Sequence, residues 1–169
     1  MNCLNGLGNL KELFLSWNKL KFIDPFSFKH TPALTSLHLE NNKIDKIERI
    51  DLKNLQNLCL SGNEIVDLPD EDFNENFKKL EQLDLSNNFI VSLKEASFRF
   101  CLNLTLLDLN ANRIESIDES TFDSLVHLKS LKMSSTLTSS PLNLSRLLKN
   151  KSLRTLDLSR NTLTLNDGE

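Results

Sequence analysis

Three residues whose side chains can perform chemistry are spaced at nearly equal intervals in the first half of the chain. His38, Cys59 and Asp84 are separated by 21 and 25 residues. If the chain returned to the same place after each interval, an imidazole, a thiol and a carboxylate would lie side by side. Such a set can form an activated thiol nucleophile or bind a metal ion. The elements that position these side chains therefore decide whether they act together.

A repeat of about 24 residues supplies that return. The stretch 80–103 reads LEQLDLSNNFIVSLKEASFRFCLN, with leucine at its positions 1, 4 and 6, asparagine at position 9 and isoleucine at position 11. A single copy cannot bury its apolar face, whereas stacked copies can, so this pattern predicts a solenoid. We interpret residues 1–169 as one domain of about seven repeats, which begin at Leu10, Leu34, Leu55, Leu80, Leu104, Leu128 and Leu153.

The alternating leucines predict one short strand in each repeat. Strands of successive repeats should lie about 4.8 Å apart in one parallel sheet, with their leucines facing the core. His38, Cys59 and Asp84 all occupy position 5, so they should be neighbours on adjacent strands. Phenylalanines at position 19 should fill the opposite side, where segments such as 118–122 are expected to form a brief helical turn. We therefore expect an α/β, mainly β, solenoid that bends with its sheet on the concave face.

Position 9 of the repeat is a column of asparagines. The chain must leave the strand there, and backbone groups are stranded inside the solenoid. A buried polar group without a partner costs roughly 1–3 kcal/mol. Because an asparagine side chain both donates and accepts, a stack of them can satisfy the turns above and below. The predicted ladder comprises Asn18, Asn42, Asn63, Asn88, Asn112 and Asn161, with Thr136 as the exception.

The pattern LxxLxLxxNxLxxIxxxxFxxL resembles the leucine-rich repeat, in its 24-residue form with phenylalanine at position 19. This form is similar to the repeats of animal extracellular proteins, above all Toll-like receptor ectodomains. The resemblance implies a binding module and not an enzyme. Repeats of this kind usually carry cysteine-rich caps, and neither end of this sequence has one. We therefore expect the chain to be a piece of a longer protein, truncated at both ends.

Composition excludes several other classes. A net charge of −3 does not indicate a nucleic-acid partner, because nucleic-acid binders are usually clearly basic. The sequence contains no apolar run long enough to span a bilayer. The three cysteines, Cys3, Cys59 and Cys101, form no CxxC cluster, so neither a zinc site nor a disulfide cap is indicated. Cys59 and Cys101 should lie on opposite sides of the solenoid and remain unpaired.

The position-5 line of His38, Cys59 and Asp84 is therefore interpreted as surface. These residues should lie on an open face with no pocket, no oxyanion donors and no fourth ligand. We predict no catalytic residues, no bound metal and no cofactor.

The same face is the candidate ligand surface. Its charge is divided: repeats one to five carry Lys11 against five acidic residues, and repeats six and seven carry four basic residues against Asp157. Asp84 and Asp108 should be adjacent, and this like-charge pair is usually relieved by solvent or a partner. An exposed aromatic pair stands near the start. The candidate residues are Phe14, Trp17, His38, Glu40, Glu81, Asp84, Asp108, Lys129, Lys132, Arg154 and Arg160.

Two further features concern the outer side and the sixth repeat. Candidate N-glycosylation sequons begin at Asn143 and Asn150, which we expect on the outer, convex side, and at Asn103, which opens onto a strand and should be the poorer acceptor. The sixth repeat departs from the pattern, with Thr136 at position 9, Thr138 at position 11 and a proline at position 14. We expect this repeat to bulge and to have a weakened core. The alternative, implied by the resemblance to Toll-like receptors, is that the interruption opens a loop that holds ligand.

The function expected from the resemblance is recognition by a rigid preformed surface. The partner would be a protein or a microbial ligand, and the full-length protein could dimerise as a receptor. The chain would lie on the extracellular side of a membrane receptor of Toll-like type, or be secreted. An adhesion or matrix scaffold is one alternative, and a cytosolic scaffold is another.

Overall fold

A computed structural model describes residues 4–24, 26–47, 50–69, 77–138 and 147–163. Within them the chain forms a parallel solenoid with almost no helix, which confirms the predicted fold. Each repeat contributes a three-residue strand at its positions 3 to 5. The main sheet contains seven strands in the order β1-β2-β3-β4-β6-β8-β9. These are β1 (Glu12–Phe14), β2 (Ser36–His38), β3 (Asn57–Cys59), β4 (Gln82–Asp84), β6 (Leu106–Asp108), β8 (Ser130–Lys132) and β9 (Thr155–Asp157).

The central leucine of each strand sets the register of the main sheet. Leu83 of β4 pairs with Leu58 of β3 on one side and Leu107 of β6 on the other. All three side chains are buried, with at most 2% exposed. In the first and last strands, Leu13 and Leu156 are only partly buried. Apolar burial between neighbouring repeats therefore holds the stack together, as the leucine periodicity predicts.

A second, smaller sheet was not predicted. It consists of two parallel strands, β5 (Ser92–Leu93) and β7 (Ser116–Ile117). Among the described residues, short 3-10 helices lie at Glu95–Phe98 and Leu147–Lys149. The expected helical turn at 118–122 is instead a hydrogen-bonded turn, in which Thr121 N–H donates to Asp118 O at 3.1 Å. The outer segments therefore differ from one repeat to the next.

The position-9 asparagines link consecutive repeats. Asn88 donates to Leu85 O of its own repeat and to Leu60 O of the preceding one, both at 3.0 Å. Its Oδ1 accepts the N–H of Ile65 at 3.1 Å. Asn42, Asn63 and Asn112 make the same three kinds of bond. The first of the column, Asn18, is exposed and bonds only within its own turn.

The sixth repeat is shifted by one residue and is not simply weakened. Thr136 is buried, and its hydroxyl donates to Leu109 O at 2.6 Å, in place of an asparagine amide. Leu137 packs against the core and bridges to Ile114, whereas Thr138 is exposed. The assignment of Thr138 to the apolar position 11 was therefore wrong, because Leu137 fills that place. The proline of this repeat lies outside the described residues.

Position 8, just before the asparagine column, has left-handed backbone in all seven repeats. Only glycine adopts this conformation without strain, although asparagine tolerates it well. Three of the seven positions have those residues, and the other four have larger or less suitable side chains. The φ values lie between 52° and 66°, at Trp17, Asn41, Gly62, Asn87, Ala111, Ser135 and Arg160.

Replacing Ala111 with glycine should therefore stabilise the protein. The left-handed φ of 54° costs alanine roughly 1–2 kcal/mol in backbone strain. Glycine removes this strain but loses about 0.5–1 kcal/mol more chain entropy on folding than alanine does. We expect a net gain of about 0.5–1 kcal/mol in the free energy of unfolding, measured by urea denaturation. Ala96, in the 3-10 helix Glu95–Phe98, has no positive φ, so Ala96→Gly should be destabilising. Equal effects of the two substitutions would contradict the strain argument.

Candidate functional site

The outer face of the main sheet is formed by the position-5 side chains and their neighbours, and we call it the outer sheet face. The predicted adjacency is confirmed by the register, in which His38 pairs with Cys59 and Cys59 with Asp84. Phe14 lies before His38, and its ring stacks on the imidazole with centroids 4.4 Å apart. The line continues through Asp108, Lys132 and Asp157. Seven side chains of five residue types therefore form one row across the sheet.

The candidate ligand residues differ widely in exposure. Phe14, Trp17, Glu81, Lys129, Arg154 and Arg160 are exposed, whereas His38, Glu40, Asp84 and Lys132 are half-buried. Asp108 is buried. The exposed members lie at the two ends and along the starts of the strands, so the middle of the row is the less accessible part.

The aspartates of the row stabilise the turns that follow their strands. Asp84 Oδ1 accepts the N–H of Ser86 at 2.9 Å, and Asp108 Oδ1 accepts the N–H of Asn110 at 3.1 Å. Asp108 also pairs with Lys132, whose Nζ lies 3.1 Å from its Oδ2. Lys132 therefore offsets the charge of Asp108 within the chain, and a backbone N–H stabilises Asp84, so the relief that was expected from solvent or a partner comes in part from the chain itself.

Asp157 repeats this arrangement on the last strand. A hydrogen bond from the Ser159 side chain, together with its backbone N–H and the nearby charges of Lys132 and Arg160, lowers the pKa of its carboxyl. The exposed charges that remain on the basic end are Lys129, Arg154 and Arg160. The outer sheet face is thus acidic towards β2–β4 and basic towards β8–β9.

A polar cluster lies between β2 and β3. The Nδ1 atom of His38 lies 3.1 Å from Glu40 Oε1, and its Nε2 lies 3.0 Å from Ser36 Oγ. Glu40 Oε2 accepts the hydroxyl of Ser16 at 2.5 Å. One ring nitrogen of His38, a carboxylate oxygen of Glu40 and Sγ of Cys59 all lie within 4.8 Å of one another. The third member of the set is therefore Glu40 and not Asp84, and the face is not fully open there, since the side chains of His38 and Glu40 are 23% and 22% exposed.

The environment sets the ionisation of this cluster. Burial would raise the pKa of the Glu40 carboxyl, but hydrogen bonds from Ser16, from its own backbone and from His38 bring it below its usual value. Burial and the negative charges of Glu40 and Asp84 raise the pKa of Cys59 to about 12. Burial alone raises the pKa of Cys101 to about 12. Both thiols are free, as predicted, and Cys3 lies outside the described residues.

We predict that metal-free Cys59 reacts slowly with iodoacetamide. Since only the thiolate is nucleophilic, a pKa of about 12 keeps the thiol protonated at neutral pH. Its alkylation rate, followed by mass spectrometry, should be at least about tenfold below that of glutathione, and should rise with pH up to about pH 12. Glu40→Gln removes one of the two negative charges that disfavour the Cys59 thiolate, so it should speed the alkylation. A rate that levels off near pH 8 would show an activated thiol instead.

Trp17 is an exposed aromatic in an unfavourable conformation. Its side chain is 80% exposed, and its φ is 59°. The backbone N–H of Trp17 donates to the backbone oxygen of Glu40 at 2.8 Å, and this bond fixes Trp17 beside the polar cluster. A bulky residue in left-handed backbone costs free energy without gaining burial, and strain of this kind is often associated with function. The sequence signal for it is the asparagine or glycine at position 8 of three other repeats.

A groove that the sequence did not reveal runs along the starts of the central strands. It has a volume of about 500 Å³, and Gln56, Glu81, Thr105 and Lys129 are among the residues that line it. It joins two candidate ligand residues of opposite charge. Only the stacking of four repeats creates the groove, so no local motif could have indicated it.

The sequons are unequal in the structure. Asn103 is exposed, and its Nδ2 donates to Lys78 O at 2.5 Å. Asn150 is half-buried, and its Nδ2 donates to Leu125 O at 2.7 Å. Asn143 lies outside the described residues. Asn103 is thus the more accessible of the two described acceptors, which reverses the expectation that Asn150 is the better one.

Comparisons with protein-family models match most of the chain. A model described as "Leucine rich repeat" matches residues 2–44 and 78–137. A second, described as "Leucine Rich repeats (2 copies)", matches residues 53–97, and a third matches residues 152–168. Among the described residues, no helix has the length and hydropathy of a membrane span.

Several curated proteins and one solved structure are similar to this chain. Human Toll-like receptor 5 is 34% identical over 102 residues, which are 59% of this chain and 11% of that protein. Mouse podocan is 42% identical over 90 residues, which are 50% of this chain and 14% of that protein. Zebrafish transforming growth factor beta activator LRRC33 is 31% identical over 95% of this chain and 24% of its own length. The chain therefore spans a quarter or less of each of these relatives.

The solved structure is titled "Crystal structure of TLR13-ssRNA13 complex". It superimposes with a TM-score of 0.81 at 32% identity, over 93% of this chain and 22% of the other. The solenoid of this chain therefore has a close counterpart in a Toll-like receptor structure.

Proposed function

Since this chain belongs to the leucine-rich-repeat family, we propose that it is part of the ligand-binding ectodomain of a receptor of Toll-like type. It binds a protein or a microbial ligand on its outer sheet face, and it lies on the extracellular side of the membrane. The similarity over 93% of the chain to a Toll-like receptor structure supports this class. The relatives that are themselves receptors support the location.

The single observation that carries the proposal is the form of the outer sheet face. Buried leucines and the asparagine corner hold its seven strands in one register, so the surface is set before a ligand arrives. A preformed surface avoids the ordering cost that a flexible one incurs on binding. Charged residues of opposite sign at its two ends orient a partner of matching polarity.

Phe14 and Trp17 are the proposed anchors at the acidic end. They are 65% and 80% exposed, and aromatic side chains contribute disproportionately to binding energy at interfaces. Trp17 is held in left-handed backbone by its bond to Glu40 O, although asparagine or glycine would fit better there. A role in binding accounts for this unfavourable choice.

A second candidate ligand is single-stranded RNA. The exposed basic residues Lys129, Arg154 and Arg160 lie together on the last two repeats, and the similar Toll-like receptor structure is a complex with RNA. The overall charge of −3 weighs against this candidate, because most of the surface would repel phosphates. We therefore place it second to a protein or a microbial ligand.

Binding measurements on outer-face variants test both candidates. The purified chain is screened by biolayer interferometry against a bacterial surface protein, a bacterial lipopeptide and a short single-stranded RNA. Trp17→Asn should weaken binding of the true ligand by at least about tenfold while leaving the free energy of unfolding unchanged or higher. The matched control is Phe22→Ala, because Phe22 is 65% exposed but lies outside the strands of the main sheet.

The outcomes separate the classes of ligand and of protein. For RNA, the affinity should fall steeply with salt, and Arg154→Glu should weaken it more than Trp17→Asn does. Equal loss in Trp17→Asn and Phe22→Ala would contradict a role for the outer sheet face. A host matrix protein and a cytosolic protein are screened alongside the three probes. Binding to the matrix protein alone would favour the adhesion scaffold, and binding to the cytosolic protein alone would favour the intracellular scaffold.

A further inference from the structure

The polar cluster between the second and third repeats contains the donor atoms of a metal site. We propose that His38, Glu40 and Cys59 bind a zinc ion, which joins the strands β2 and β3 at the outer sheet face. The site does not depend on the proposed receptor function. It replaces the expectation, drawn from His38, Cys59 and Asp84, that this line of residues binds no metal.

The geometry of the three donor atoms is close to that of a zinc site. A tetrahedral zinc ion with bonds of about 2.0–2.3 Å spaces its ligand atoms about 3.3–3.6 Å apart. His38 Nδ1 and Glu40 Oε1 are already 3.1 Å apart, and all three donor atoms lie within 4.8 Å of one another. Side-chain movements of about 1 Å are therefore enough to complete the site, and the backbone can stay where the sheet holds it.

Neighbouring groups orient two of the ligands. In the metal-free protein His38 Nδ1 donates to Glu40 Oε1 at 3.1 Å. When zinc binds, the tautomer with its proton on Nε2, which lies 3.0 Å from Ser36 Oγ, frees the Nδ1 lone pair for the metal. Ser16 holds the other oxygen of Glu40 at 2.5 Å and comes from the preceding repeat. The Phe14 ring stacks on the imidazole and fixes its plane. Hydrogen bonds of this kind around the ligands are typical of metal sites, and they raise metal affinity.

The donor types favour zinc over other common cations. An imidazole nitrogen, a thiolate and a carboxylate match the preferences of Zn²⁺, whereas Mg²⁺ and Ca²⁺ require oxygen ligands. On binding, Cys59 releases its thiol proton to solvent and its sulfur bonds the metal. Three protein ligands leave the fourth position to a water molecule. Asp84 pairs with Cys59 in the sheet, and its negative charge further favours a cation here.

Cobalt is the probe for the site, because it reports its own ligands. The complete chain is titrated with Co²⁺ and then with Zn²⁺, which should displace it. We expect one cobalt per chain, a thiolate-to-cobalt charge-transfer band in the near ultraviolet, and visible bands of tetrahedral intensity. Cys59→Ser should abolish the charge-transfer band and weaken binding by at least about a hundredfold, whereas Cys3→Ser should leave both unchanged.

Two further variants separate a metal site from a hydrogen-bond network. Glu40→Gln preserves the size of the side chain and the bond to Ser16 but removes the anionic ligand, so it should weaken binding strongly. Ser16→Ala acts only through Glu40 and should weaken binding by about 10–100-fold with the charge-transfer band retained. Circular dichroism checks that each variant is folded. Zn²⁺ should raise the thermal midpoint of the unsubstituted chain and of Cys3→Ser, raise that of Ser16→Ala less, and leave that of Cys59→Ser unchanged.

The proposal is overturned by any of three results. These are the absence of a charge-transfer band in the unsubstituted chain, equal cobalt affinity in folded Cys59→Ser, and loss of the band in Cys3→Ser. None of these results bears on ligand binding by Trp17 or Arg154, so the zinc site and the receptor function fail separately.

Discussion

Replacing Asn88 with alanine should lower the free energy of unfolding by about 3 kcal/mol. The N–H of Ile65 loses its acceptor in a buried corner, which costs roughly 1–3 kcal/mol. Leu60 O and Leu85 O each lose one bond but keep a second, from Asn63 and Asn112 respectively. Those two lost bonds add about 0.5–1.5 kcal/mol each, and urea denaturation followed by circular dichroism measures the total.

Asn18 provides a matched control at the same position of the first repeat. Its amide bonds only to Leu15 O and Ser16 O, and it is exposed, so water can replace it. Asn18→Ala should therefore cost less than about 1 kcal/mol. Equal costs at Asn18 and Asn88 would mean that the asparagines do not act by closing a buried corner.

Replacing Phe98 with alanine should be at least as damaging, at about 4 kcal/mol. Its side chain is 1% exposed and stacks on Phe122 with ring centroids 6.2 Å apart. Truncation removes the whole ring from the side of the solenoid opposite the main sheet. The cavity crosses two repeats, so the surrounding chain can relax only partly.

The matched control for Phe98 is an exposed phenylalanine of the same chain. Phe22 is 65% exposed, so Phe22→Ala should change the free energy of unfolding by less than about 0.5 kcal/mol. The same urea titration measures both variants. A loss at Phe98 no larger than that at Phe22 would contradict the burial of the phenylalanine column.

Most of the fold could be predicted because the same spacing of leucines occurs in all seven repeats. The pairing of Leu83 with Leu107 follows from the leucine periodicity alone. Since Asp84 and Asp108 are the next residues along the two strands, their adjacency follows from that pairing. Features that occur in only one repeat were missed, because the other repeats do not show the same residue at the same position. Phe77 is fully buried although it falls outside the predicted column, and Leu137 rather than Thr138 fills the core of the sixth repeat.

The site was harder to predict because its residues do not share one repeat position. Alignment by position 5 placed His38, Cys59 and Asp84 in one row, and the register confirms it. Glu40 stands at position 7, beyond the strand, where the chain begins to turn. Only the structure shows that this turn brings its carboxylate to His38 and Cys59. Similarly, the left-handed backbone at Trp17 can be predicted from the sequence only when the repeats are aligned, so that Trp17 shares a position with Asn41 and Gly62.

Amide hydrogen exchange measured by NMR tests most directly whether the asparagine corner holds the repeats in register. The N–H groups of Ile44, Ile65 and Ile90 donate to the side-chain oxygens of successive asparagines. All three should be strongly protected in the unsubstituted chain, and Asn88→Ala should remove protection at Ile65 while leaving it at Ile44 and Ile90. Free exchange at Ile65 in the unsubstituted chain, or unchanged protection there in Asn88→Ala, would contradict the account.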